Sequence, residues 1–79
     1  MIDTVIGLIA TIRNDRDLPS RMDADTHLLD EVGLDSIEVV ELMMGLEDAL
    51  GVEIPYGSLE REDLATVRTL VEAIREKSA

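Results

Sequence analysis

GLDSIEVVELMMGLEDAL, residues 33–50, is the stretch whose reading decides the fold. Asp35 has the side chain of a helix N-cap, Glu38 three residues on completes a capping box, and an apolar-periodic run follows at once. A helix is expected from Ser36 to Leu50, with Gly51 ending it in the C′ position. Ser36 then occupies the first helical position, where its hydroxyl is not needed as the cap and can face solvent. Free N–H groups and the positive end of the helix dipole favour an anion attached at such a place. At about 100° per residue, Val39, Leu42, Met43, Leu46 and Leu50 share a face and should point into a core. Ile37, Val40 and Met44 form a second apolar stripe, edged by Glu41, Glu47 and Asp48 with Glu38 nearby, and such a stripe has the character of an interaction surface.

Outward from this helix, the rest of the chain reads as helical too. Ile2, Val5, Ile6, Ile9 and Ile12 recur at helical spacing, with Thr4, Thr11 and Arg13 toward water and an end near Asn14. Pro19 disfavours helix at Leu18. The connection from Asn14 to Asp35 exceeds the roughly 12–15 residues usual for a structureless loop in a compact domain, so something must pin it. Leu28, Leu29 and Val32 are the apolar candidates, on a single helical turn beginning near Asp25 and closed by Gly33. After Val52, Ile54 and Pro55, a short helix is expected from Gly57-Ser58 with Leu59 and Leu64 as its contacts. A last helix, capped by Asp63 or Thr66, presents Val67, Leu70, Val71 and Ile74 on one face, with Arg75 and Lys77 near its C-terminus. The fold class is all-α, a small four-helix bundle of three main helices and one short one within a single domain spanning residues 1–79.

Composition narrows the functions open to this chain. Its 79 residues allow one small core and little room for an elaborate buried active site. Eighteen acidic against seven basic residues give a net charge of −11, which opposes nucleic-acid phosphates and anionic lipid and favours basic protein surfaces. There is no cysteine, hence neither disulfide nor thiolate metal site. No apolar run approaches the ~20 residues of a membrane span, and the N-terminus lacks the basic and long apolar regions of a signal peptide. A cytoplasmic monomer is expected, binding neither nucleic acid nor membrane.

Gly33-Leu34-Asp35-Ser36-Ile37, then Glu41-Leu42, Leu46-Glu47 and Glu53-Ile54-Pro55, resemble the acyl carrier proteins. The resemblance implies that Ser36, in the Asp-Ser-Leu motif whose leucine is Ile37 here, carries a 4′-phosphopantetheine arm donated by coenzyme A. It also implies a non-catalytic protein that holds acyl intermediates as thioesters. The implied partners are a phosphopantetheinyl transferase and acyltransferase, ketosynthase or acyl-activating enzymes with basic docking surfaces, which would meet Ile37, Glu38, Val40, Glu41, Met44, Glu47 and Asp48. A long loop across one end of the bundle is implied as well, and the segment before the last helix is about two residues longer than is usual in the family. With Met1 at the start and an end soon after the last helix, the chain reads as a freestanding carrier. Ile37, Gly45 and Leu50, where an aromatic is common, depart from the fatty-acid pattern toward specialised metabolism such as polyketide assembly.

Bland readings compete at each position. Serine is common at helix starts for hydrogen bonding alone, but Asp35 already supplies the cap. The second stripe of the helix from Ser36 could be core, and its acids a solvated face. His27 lies too far from any nucleophile-orienting motif to argue for a catalytic pair with Ser36 and reads as a surface residue. Residues 23–34 superficially resemble a calcium loop, but Leu28 and Leu34 replace its required glycine and bidentate glutamate, so no metal site is expected. Two other functions remain: an aminoacyl or peptidyl carrier, whose usual Gly-Gly before His/Asp-Ser is absent, and an acidic helical adaptor without cofactor.

Overall fold

A computed structural model describes residues 1–77. Helix α1 spans Ile2–Arg13, α2 Ser36–Leu50 and α3 Val67–Lys77, and no strand occurs among the described residues, only an isolated bridge between His27 and Thr66. The protein is an all-α bundle in which α1 is the shared partner: it packs against both α2 and α3. Val5, Ile6 and Ile9 of α1, Leu42, Met43 and Leu46 of α2, and Val67, Leu70, Val71 and Ile74 of α3 make one continuous core. Val39 and Leu50 pack at its margin. Gly45 is placed by this packing, because a Cβ there would come within 3.1 Å of the Leu8 side chain of α1.

Helix ends follow the local sequence. Asn14 stops α1 in the left-handed region, at φ 52°, one of the few non-glycine residues that tolerates it. Gly51 does the same for α2 at φ 65°. Thr66, and not Asp63, caps α3: its Oγ1 accepts the Thr69 N–H at 3.1 Å, and Thr69 Oγ1 accepts the Thr66 N–H at 2.9 Å in return.

The long first connection is pinned by the expected residues and by others besides. Leu28 is fully buried, Leu29 and Val32 pack half-buried against the core, and Met22, Leu34 and the hydroxyl-bonded Thr26 join the interior as well. Loop backbone is tied to the start of α3. The Ala24 and Thr26 carbonyls accept the Arg68 and Val67 N–H groups at 2.8 and 3.3 Å, and Leu28 N–H donates to the Ala65 carbonyl at 3.0 Å. Donors that α3 cannot satisfy internally thus find partners on a segment some forty positions away. Its local turn begins at His27, two residues later than expected, where one carbonyl accepts from both Glu31 and Val32, and Gly33 closes it at φ 75°. A 3₁₀ turn at Leu18–Arg21 also begins where Pro19 was expected to disfavour helix. Proline is tolerated in the first turn, whose N–H groups have no intrahelical partner.

The short fourth helix is replaced by two 3₁₀ turns, Tyr56–Ser58 and Arg61–Leu64. Leu59 and Leu64, five positions apart, form no i, i+3, i+4 stripe to hold an α-helix. Ile54, buried at its start, and Lys77 of α3 anchor it. The Lys77 ammonium donates to the Ser58 carbonyl at 2.6 Å and to Asp63 Oδ2 at 2.9 Å.

Candidate functional site

Ser36 stands at the first position of α2 and is exposed. Asp35, extended at φ −88°, ψ 176°, caps the helix: Oδ1 accepts the Glu38 N–H at 2.8 Å, while Glu38 Oε1 accepts the Asp35 N–H at 3.1 Å. With the cap supplied by its neighbour, the Ser36 hydroxyl is in no hydrogen bond among the described residues. It therefore projects from a rigid 15-residue helix at the end where backbone donors and dipole favour negative charge. Phosphate esterified to this oxygen would sit among those donors without displacing a structural contact, so the residues present fit a phosphodiester-linked group. Ser20, by contrast, spends its hydroxyl on the Asp17 carbonyl at 2.7 Å. Ser58 lies beside the Lys77 contact in a 3₁₀ turn, and Ser78 lies outside the described residues.

Beside Ser36 a shallow groove of about 370 Å³ opens between α2 and the Arg61–Leu64 turn. Leu29, Leu34, Val39 and Leu64 line it, with Arg61 at its edge. None of Leu29, Arg61 and Leu64 is legible as a site residue in the sequence, because they arrive from two irregular segments, the connection before α2 and the Arg61–Leu64 turn.

The expected docking residues divide into two groups. Ile37, Val40 and Met44 are 69, 52 and 57% exposed, so the second stripe of α2 faces solvent and not the core. Glu41 and Asp48 are exposed beside them. Glu38 is occupied by the capping box and by Arg13, whose Nε lies 2.7 Å from Glu38 Oε2. Glu47 is half-buried, and its Oε2 accepts the Ile54 N–H at 2.9 Å, tying the end of α2 to the following segment. The capping duty of Glu38 was legible in the sequence, whereas its pairing with Arg13 and the bond from Glu47 to Ile54 were not. His27 is exposed, pairing through its backbone with the start of α3, and no group of acids and histidine among the described residues is arranged to hold a metal ion.

The family described as a phosphopantetheine attachment site matches residues 3–74. The chain belongs to the acyl carrier protein family. An acyl carrier protein of Zymomonas mobilis subsp. mobilis is 38% identical over 61 residues, covering 77% of this chain and 76% of that relative. As an acyl carrier protein it is a carrier and not a catalyst, and its cofactor is a covalently attached 4′-phosphopantetheine. Membership also implies dealings with a phosphopantetheinyl transferase and with acyl-handling enzymes. No helix among the described residues is long and apolar enough to cross a membrane.

Proposed function

We propose that this carrier holds its arm on Ser36, with Asp35 setting the helix start behind it, and acts as a single carrier domain, monomeric and cytoplasmic. The observation that carries the reading is the exposed Ser36 hydroxyl at the start of α2, left unengaged because Asp35 and Glu38 complete the cap between them. When bound, the arm supplies a thiol on which acyl groups are held as thioesters. The protein's own part is to present that arm from a firm helix end and to offer partners a recognisable face. Ile37, Val40 and Met44 supply apolar contact, and Glu41 and Asp48 supply negative charge for basic partner surfaces such as those of transferase, acyltransferase, ketosynthase or acyl-activating enzymes.

Within this role we favour polyketide or related specialised metabolism over fatty-acid synthesis. The preference rests on the sequence departures at Ile37 and Leu50 and on the longer segment before α3. The test of the attachment residue is intact mass and peptide mapping after incubation with coenzyme A and a phosphopantetheinyl transferase. Wild type should gain one arm, mapped to Ser36. Ser36→Ala should gain none while keeping its helical circular dichroism, since Asp35 retains the cap. An arm on the Ser36→Ala protein would refute the assignment.

A further inference from the structure

We infer that Arg13, at the far end of a different helix, is a positioning residue for arm attachment; the inference rests on Ser36 being the attachment residue. Arg13 closes α1 and reaches both flanks of the Asp35-Ser36 step. Its Nη2 donates to the Gly33 carbonyl at 2.7 Å on one side and to Glu38 Oε1 at 3.0 Å on the other, while Nε meets Glu38 Oε2 at 2.7 Å. Glu38 Oε1 is also the acceptor of the Asp35 N–H. The guanidinium thus completes a ring of contacts: α1 to Gly33, through the left-handed turn into Asp35, around the capping box to Glu38, and back to α1. Two-point contact of a guanidinium with a carboxylate fixes orientation as well as distance, which a single ammonium cannot do.

A second consequence concerns charge. The first turn of α2 carries two carboxylates, Asp35 and Glu38, next to the oxygen that must accept a phosphate. Arg13 offsets one of them where the pair is partly shielded, the two side chains being 33 and 19% exposed. An ion pair this near the surface adds little to global stability. Its effect is local, on how often the first turn of α2 opens and on where Ser36 Oγ stands when the transferase engages. Misplacing a reacting atom acts on the chemical step more than on docking.

The test uses the full chain with coenzyme A and a phosphopantetheinyl transferase, measuring steady-state arm transfer together with amide hydrogen exchange at Asp35 and Glu38, the two N–H groups held in the capping box. Weakening a cap shifts the local opening equilibrium by about fivefold. Arg13→Gln should accordingly speed exchange at those two amides by about that factor, and should lower kcat with KM little changed. Arg13→Lys, which keeps the charge but not the two-point geometry, should recover only part of the rate. Arg13→Gln combined with Glu38→Gln should be no slower than Arg13→Gln alone, because Arg13 acts through Glu38. Unchanged kcat and unchanged exchange in Arg13→Gln would overturn the inference while leaving Ser36 intact. So would full recovery by lysine, or an effect confined to KM and abolished by salt, either of which would make Arg13 a simple surface charge. An arm mapped to another serine would instead overturn the assignment of Ser36.

Discussion

Met43 and Met44 are neighbours of identical chemistry on α2 whose environments could hardly differ more, and truncating each in turn tests the two-faced reading of that helix. Met43 is 1% exposed among the core side chains, and Met44 is 57% exposed. Removing a buried methionine side chain down to alanine costs about 2–5 kcal/mol, the sum of lost transfer energy and the cavity left behind. For a domain of this size each kcal/mol lowers Tm by roughly 4–8 °C, so Met43→Ala should melt on the order of 10 °C or more below wild type. Small cores sit low in the usual range of about 5–15 kcal/mol, and outright unfolding of Met43→Ala agrees with the same reasoning. At Met44 more than half the side chain is already wet. The burial it can lose is then under half of the ~1.5–3 kcal/mol for a fully buried side chain, and alanine's better helix propensity returns a few tenths of a kcal/mol. Met44→Ala should therefore stay within about 1 kcal/mol of wild type. Urea unfolding followed by far-ultraviolet circular dichroism measures both. If the two variants lost similar stability, or if Met44→Ala were the weaker, the exposed stripe would be part of the core and its reading as a partner surface would fail. Where stability is retained, Met44→Ala should weaken transferase binding with little dependence on salt, as expected for an apolar anchor.

Charge gives the remaining predictions. Glu41→Lys and Asp48→Lys should slow arm transfer most at low ionic strength, because rim charges act on encounter rate and are screened by salt; rates unchanged at every salt concentration would make these acids merely solvated. At neutral pH the net charge of −11 should make Tm rise as salt is added from low ionic strength, and a flat or falling Tm would show that the acids are locally compensated. Asp63 is held below the usual carboxylate range, first by the Glu60 N–H and then by Lys77. Because the folded-state value is the lower one, its contribution is complete above the unfolded value of roughly 4 and disappears as pH falls through the lowered value. Asp63→Asn should thus flatten the acid limb of the stability curve below about pH 4; an acid limb as steep as wild type would remove Asp63 from the account.

Local features were decided by the sequence alone. The start of α2 at Ser36, its cap and capping box, the stop at Gly51 and the opposite exposure of Met43 and Met44 all follow from side chains within a few positions of one another, since capping and helical periodicity act over one or two turns. Ser36 is proposed as the attachment serine on equally local grounds, as motif and helix start coincide in one short run. Other features required the tertiary structure. Nothing near Ala24 or Thr26 announces that their carbonyls will satisfy the first donors of α3, and nothing near Arg13 announces Glu38 and Gly33, because hydrogen-bonding partners far apart in sequence are chosen by how the helices pack. Glu47 read as a free acid for the same reason, its partner Ile54 lying beyond the turn at Gly51. Residues 56–64 stayed ambiguous because two leucines are too few to impose a period. Their course was decided by what they could be tied to, Ile54 in the core and the ammonium of Lys77 across the bundle.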